Sequence, residues 1–269
     1  MDADPLPDAS VRQQFNTMAI ETAQVAGRIL MEHRRTGFQI HHKSALSLVT
    51  DADHRAEQAI VDVIGKAYPD HQILAEERGL QSKVESAYRW VIDPLDGTTN
   101  FAHGFPAFCV SIALEYYNRT ILGVVFDPTR QEMFLAEAGI GATLNGAQLR
   151  VSTVPKLHAA LLVTGFAYDI RTSTHNNLDY FARFALHAQG IRRTGSAALD
   201  LCYVAAGRFD GFWEMKLHPW DTAAGSLMVI EAGGRMSDFT GRPFSIYGEE
   251  TVASNSLIHD EMIDTLNPK

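Results

Sequence analysis

The stretch from Ala107 to Leu144 limits the fold more than any other part of this 269-residue chain. Its apolar runs Cys109–Tyr117, Ile121–Phe126 and Met133–Ala136 are separated by Asn118-Arg119 and Asp127-Pro128-Thr129. Runs of strand length, broken by turn-forming residues, predict an antiparallel meander. Gly139-Ile140-Gly141 and Asn145-Gly146 supply further turns. Two helices are expected ahead of the meander. From Val11 to about Arg35, the residues Phe15, Met18-Ala19, Val25-Ala26 and Ile29-Leu30 recur at helical spacing. From Asp53 to Tyr68, Ala56, Ala59-Ile60 and Val63-Ile64 do the same, and Pro69-Asp70 ends the pattern. Arg89–Ile92 reads as a short buried strand.

Beyond about residue 151 the style changes. Leu161–Val163 is strand-like, Leu178–Ala188 helical, Ile191 extended, Ala197–Ala206 helical and Gly211–Glu214 strand-like. Thr222–Glu231 is a helix closed by Gly233-Gly234. The expectation is an α+β half over residues 1–150 with an antiparallel sheet, and an α/β half over 151–269. No linker-like composition separates them, so the halves are expected to pack tightly.

Composition narrows the function. The chain is 46% hydrophobic and 20% charged, which excludes disordered and collagen-like classes. Lys and Arg number 23 against 32 Asp and Glu, a net charge of −9 that repels nucleic-acid backbones and anionic membranes. No apolar run approaches the ~20 residues of a membrane span. The start, Met1-Asp2-Ala3-Asp4-Pro5, lacks the basic and apolar regions of a signal peptide. Cys109 and Cys202 match no zinc or redox spacing and are expected to be buried thiols, which suits a cytoplasmic protein. If the substrate is an anion, the acidic balance must be reversed locally, and a bound divalent cation is the simplest means.

The chemistry concentrates in Trp90-Val91-Ile92-Asp93-Pro94-Leu95-Asp96-Gly97-Thr98-Thr99-Asn100-Phe101. An apolar strand delivers Asp93, Pro94 forces a turn, and Asp96 brings a second carboxylate to the same point. Gly97 permits close backbone approach, and a helix beginning just after Asp96 would present free N–H groups to an anion. Oxygen-only ligands with open positions suit Mg²⁺. The same residues also read as an ordinary turn with solvated or capping carboxylates. Asp53 in Thr50-Asp51-Ala52-Asp53, Glu76 after Gln72-Ile73-Leu74, and Asp221 in Trp220-Asp221-Thr222 likewise stand at edges of apolar elements. Asp53 and Asp221 also read as helix N-caps, and Glu76-Glu77 as surface charge. No phosphate-binding Gly-Lys-Ser/Thr loop, His-Glu-x-x-His or Gly-x-Ser-x-Gly pattern competes.

The run Trp90–Phe101, with Trp220–Gly225 and Glu231-Ala232-Gly233-Gly234, resembles the inositol monophosphatase family of lithium-sensitive, magnesium-dependent phosphatases, and the resemblance covers essentially the whole chain. It implies a layered αβαβα sandwich, as in fructose-1,6-bisphosphatase. It also implies Glu76, Asp93 and the Leu95 carbonyl as ligands of one Mg²⁺, and Asp93, Asp96 and Asp221 as ligands of a second, with two or three ions per site. Asp53 and Thr98 would orient the attacking water, Glu76 joining them in catalysis. Gly97, Thr98 and Thr99 would receive the phosphate oxygens. Gly195, Ser196 and Ala197 would contact the substrate ring by backbone groups, Glu214 would hydrogen-bond inositol hydroxyls, and Asp221 would also contact the substrate. The metal site then lies mainly in residues 1–150, with 151–269 completing it.

Three positions depart from the family pattern: Ser47, Ala75 and Ala167. His41, His42 and Lys43 lie in a loop and are expected to be surface residues, although one could approach the water shell of a third cation. The expected function is hydrolysis of inositol 1-phosphate or related polyol monophosphates by a cytoplasmic homodimer, with no direct nucleic-acid or membrane contact. The alternatives are a fructose-1,6-bisphosphatase or broad sugar phosphatase, and a family member acting mainly as a protein-binding regulator.

Overall fold

Both long helices expected at the start of the chain form, and both lie against one face of a single large sheet. The computed structural model describes residues 6–42, 46–81 and 85–268. In chain order the first part runs α1 (Ala9–Thr36), β1 (Ile40–His42), β2 (Leu48–Thr50), α2 (Asp51–Ala67), β3 (Gln72–Ala75), β4 (Gly79–Leu80), β5 (Tyr88–Asp96) and α3 (Thr98–Ala102). The meander follows as β6 (Cys109–Tyr116), β7 (Arg119–Asp127), β8 (Glu132–Glu137), β9 (Gly141–Leu144) and β10 (Ala147–Gln148). The rest comprises β11 (Leu161–Thr164), α4 (Leu178–His187), β12 (Gly190–Arg192), α5 (Ala197–Ala205), β13 (Gly211–Met215), α6 (Pro219–Glu231), β14 (Arg235–Ser237), β15 (Glu250–Ser254) and α7 (His259–Leu266).

The large sheet has eight strands in the order β10-β9-β8-β7-β6-β5-β3-β4, antiparallel except where β3 runs parallel to β5. The smaller one has five, β12-β11-β13-β15-β14, with β11 parallel to both neighbours. Helices α1 and α2 cover one face of the large sheet, and α6 lies on its other face with α5 packed beside it. The five-stranded sheet closes over α5, and α4 and α7 form the outermost layer. The result is the expected αβαβα sandwich. Sandwiching explains why α5 and α6 are apolar nearly all round, since neither has a solvent face. Their spacing depends on small residues: a Cβ at Gly225 would lie 2.6 Å from Leu201 Cβ, and one at Gly123 2.8 Å from the Ala224 carbonyl oxygen. The main hydrophobic core is continuous from Phe15 on α1, through Ile92 and Val124 in the large sheet, to Leu201 on α5 and Val229 on α6.

Three local expectations are corrected. The hairpin turn after β6 is Tyr117-Asn118, both at positive φ (48° and 60°), rather than Asn118-Arg119. This is the twist that a two-residue hairpin loop requires. Pro94 does not turn the chain: β5 continues to Asp96 with a register shift between Asp93 and Asp96, a bulge being where a strand accommodates proline. Nor are Asp53 and Asp221 N-caps. Those positions belong to Thr50 and His218, and each aspartate sits three residues into its helix. Among the described residues, no helix is long and apolar enough to cross a membrane.

Candidate active site

The bulge in β5 makes the site. It rotates Asp93 and Asp96 so that one carboxylate oxygen of each meets one from Asp221, all within 4.8 Å of one another. Asp93 is fixed by the Leu95 N–H, which donates to its Oδ1 at 2.9 Å. Gly97 follows at φ 99°, and a Cβ there would lie 2.8 Å from the Ala107 carbonyl oxygen, so only glycine lets the chain turn into α3 at this point. Helix α3 therefore begins at Thr98, as expected, with its first N–H groups lacking intrahelical acceptors.

Thr98 joins two parts of the site. Its hydroxyl lies 3.1 Å from Asp53 Oδ1 and 3.1 Å from the Leu95 carbonyl oxygen, and its single proton serves one acceptor at a time. Asp53 is fully buried on α2; its Oδ2 accepts the Thr50 N–H at 2.8 Å and the Thr50 hydroxyl at 2.6 Å. Asp96 is tied across layers: its Oδ2 accepts the Ser196 hydroxyl and the Ala198 N–H, each at 2.7 Å, with the Cys109 thiol 3.9 Å away. The start of α5 thus holds one oxygen of Asp96.

These groups border a cavity of about 280 Å³. Glu76, Asp93, Leu95, Asp96, Gly97, Thr98, Thr99, Gly195, Ser196, Ala197, Glu214 and Asp221 all line it, so the structure brings together every expected site residue but one. Asp53 stands behind Thr98 and reaches the cavity only through that hydroxyl. The Ser196 hydroxyl donates to Asp96 Oδ2, so this side chain braces Asp96. Glu214, on β13, is 8% exposed, and a Cβ at Gly165 would come within 2.2 Å of its carboxylate. His41 lies 3.3 Å from Asp51 in an exposed pair and is not on the cavity wall; Lys43 and the side chain of His42 lie outside the described residues. Of the departures from the family pattern, Ala167 lines the cavity and Ala75 is buried at the end of β3.

Several wall residues were missed from the sequence. Arg193 and Asp200 line the cavity, and Asp200 accepts the Thr194 hydroxyl at 2.5 Å. Asn100 donates to the Ala107 and Thr194 carbonyl oxygens at 2.7 and 2.8 Å, lacing α3 to the segment that leads into α5. The available signals were a lone acid in an apolar helix and an amide inside the Asp96–Phe101 run. Neither signal names a partner, and for Asn100 that partner, Thr194, is 94 residues away.

The electrostatics describe a site awaiting positive charge. Asp93 is pushed well above the usual carboxylate range by burial, then by Glu76, Asp96 and Asp221. Asp221 is raised by burial and by Asp96, with the His218 N–H opposing. Burial takes Asp96 up to about 6, against the pull of Ser196 and Ala198. Burial raises Asp53 to about 7, opposed by Thr50. Buried carboxylates this close cannot all ionise unless a cation stands among them. Hard oxygen donors, like charge and burial therefore fit a divalent metal, with Asp93, Asp96 and Asp221 as side chains that could hold it and Glu76 on the same cavity wall.

The comparisons with known proteins agree with this geometry. The inositol monophosphatase family model matches residues 11–268. The chain belongs to the inositol monophosphatase family. It is 44% identical over 263 residues to an inositol-1-monophosphatase of Synechocystis, covering 97% of this chain and 92% of that one. To a Nus factor SuhB of Pseudomonas aeruginosa it is 46% identical over 264 residues, covering 95% and 97%. An inositol monophosphatase structure from Anabaena superposes with a TM-score of 0.86 at 42% identity, covering 94% of this chain and 95% of that one. The family thus includes relatives named as phosphatases and relatives named as Nus factors.

Proposed function

We propose that this protein hydrolyses inositol 1-phosphate and related polyol monophosphates with Mg²⁺. The observation that carries the reading is the convergence of Asp93, Asp96 and Asp221 in a cavity that Glu214 also lines. In this reading Glu76, Asp93 and the Leu95 carbonyl hold one Mg²⁺; Asp93, Asp96 and Asp221 hold another. Bound there, Mg²⁺ supplies charge neutralisation for phosphate oxygens and acidity for a water molecule. The Thr98 hydroxyl, hydrogen-bonded to Asp53, orients the attacking water, and Asp53, poised at about 7, is suited to receive its proton. Gly97, Thr98 and Thr99 offer backbone N–H groups to the phosphate.

The leaving alcohol occupies the end bordered by Gly195, Ala197 and Glu214. Burial raises the Glu214 carboxyl to about 8, with Arg193 opposing. In either protonation state it can hydrogen-bond vicinal hydroxyls, and the Gly165 hydrogen leaves room for it. A homodimer belongs to the same reading, and a monomeric mass by light scattering would overturn that part.

Phosphate release from inositol 1-phosphate, fructose 1,6-bisphosphate, histidinol phosphate and adenosine 3′,5′-bisphosphate, compared by kcat/KM in Mg²⁺, tests the assignment. Inositol 1-phosphate is expected to lead, with Li⁺ inhibiting. Preference for a bisphosphate would replace the substrate and keep the mechanism; full turnover in excess chelator would remove the mechanism. A second reading, a regulatory protein, rests on the name Nus factor SuhB carried by the P. aeruginosa relative. An Asp93→Asn chain that still meets the cell's requirement for this protein would favour it.

A further inference from the structure

Glu57 takes no part in the site described above, yet it is a fully buried carboxylate on the helix that carries Asp53, one turn further along the same face. Its Oε2 accepts the Glu77 N–H at 2.8 Å. Its Oε1 accepts no hydrogen bond and lies 3.2 Å from Arg78 Nε, whose guanidinium also bonds the neighbouring Gln58. Glu77 and Arg78 belong, with Glu76, to the three-residue loop joining β3 to β4. On the other side of Glu76, its own N–H donates to the Ile92 carbonyl oxygen at 3.1 Å. The peptide units before and after Glu76 are therefore both pinned, one to strand β5 and one to Glu57.

We infer that Glu57 is a positioning residue for cation binding: it clamps the Glu76–Arg78 loop and so aims Glu76 at the site. The inference rests on the metal-dependent reading given above. A buried carboxylate is costly without a function or a full set of partners, and here one oxygen has only the nearby charge of Arg78. The clamp links α2 to the loop, so Asp53 and Glu76 are set by one helix. Residues that orient a metal ligand typically govern affinity by about 10- to 100-fold.

Three substitutions separate position from charge, with Mn²⁺ as the probe, titrated by calorimetry and by its paramagnetic resonance signal. Glu57→Gln keeps an acceptor for the Glu77 N–H and loses the charge. Glu57→Asp keeps the charge and falls one methylene short of that N–H, and Glu57→Ala loses both. Clamping predicts Mn²⁺ binding weakened about 10- to 100-fold in Glu57→Asp and Glu57→Ala, with Glu57→Gln within about threefold of the parent. In the two weakened variants, kcat at saturating metal is expected to fall by less than the metal constant rises. Should Glu57→Ala fail to fold, the Asp and Gln variants still decide. Parent-like Mn²⁺ binding in Glu57→Asp, with only the melting temperature lowered, overturns the inference. So does parent-like Glu57→Asp beside a weakened Glu57→Gln, since charge would then be the active property. A parent protein that binds no Mn²⁺ at millimolar concentration instead overturns the metal-dependent reading on which the inference stands.

Discussion

At the start of α2 the Thr50 N–H donates to Asp53 Oδ2 at 2.8 Å; at the start of α6 the His218 N–H donates to Asp221 Oδ2 at 2.7 Å. Each aspartate occupies the same helix position and satisfies the same otherwise orphaned donor. They differ in what happens to the other oxygen. Asp53 Oδ1 is met by the Thr98 hydroxyl, so protein donors approach both of its oxygens. Asp221 instead brings a carboxylate oxygen within 4.8 Å of oxygens of Asp93 and Asp96. One capping geometry therefore leads to two environments: in the proposed mechanism the carboxylate surrounded by donors would handle protons, and the one facing other carboxylates would hold a cation.

The largest expected effect removes the residue both regions depend on. Asp93→Asn should cut kcat/KM by more than the ~10²–10³-fold cost of losing one transition-state donor, and Mn²⁺ titration should show binding weakened alongside it. The comparison itself is broken or sharpened by the pair Asp221→Asn and Asp53→Asn, because asparagine can still accept the capping N–H in both. Asp221→Asn should raise the half-saturating Mg²⁺ concentration by about 10-fold or more, with activity partly recovered at high metal. Asp53→Asn should lower kcat at saturating metal by about 10²-fold and move the metal constant far less. Equal behaviour of the two variants in both measurements would mean that the second oxygen does not decide the role.

A smaller effect tests the electrostatic difference. With Asp53 raised to about 7 by burial, the metal-free fold holds a proton there that the unfolded chain has already released above its ordinary value of 3.8. Stability from this group is fully present below 3.8 and is lost as pH rises through about 7. The crowded cluster works in the same direction, so Mg²⁺ should raise the melting temperature more at pH 8 than at pH 5. An increment that is equal at both, or larger at pH 5, would contradict the proposed charge balance. The smallest effect is a control far from the site. His71, stacked on Tyr68 and Tyr88 and accepting the Trp90 indole N–H at 3.1 Å, is lowered to about 4 by burial. Its stabilisation is intact above the unfolded value of 6.5 and declines as pH falls toward about 4, opposite in sign to Asp53. His71→Phe should flatten that acid slope in melting curves taken in chelator, without changing the Mg²⁺ increment.

The parts legible in the sequence were those written locally. The meander was visible because β6, β7 and β8 alternate with turn residues, and the helix at Thr98 because Gly97 directly follows Asp96. The positions of Asp53 and Glu76 were visible only as acids at the edges of apolar elements, and their roles came from family resemblance. What escaped was set by contacts between distant segments. The Ser196 hydroxyl has no visible partner in the sequence until the fold places it 2.7 Å from Asp96. Glu57 looks like any charged helix residue until the Glu76–Arg78 loop is laid across it. The capping error has a simpler cause. Thr50 and Asp53 are both good N-cap residues, and only backbone geometry shows that the threonine caps while the aspartate reaches back to it.

Asp96 belongs to the carboxylate cluster and is also bound by the beginning of α5, through the Ser196 hydroxyl and the Ala198 N–H. Asn100 repeats the stitch by holding Ala107 and Thr194 together. This seam has a consequence for recombination between relatives. A chimera joined near residue 150 inherits Asp96 and Asn100 from one parent, and the backbone that must receive them from the other. Crossovers there should succeed only between parents whose segment from Thr194 to Ala198 traces the same path, however well their separate cores pack.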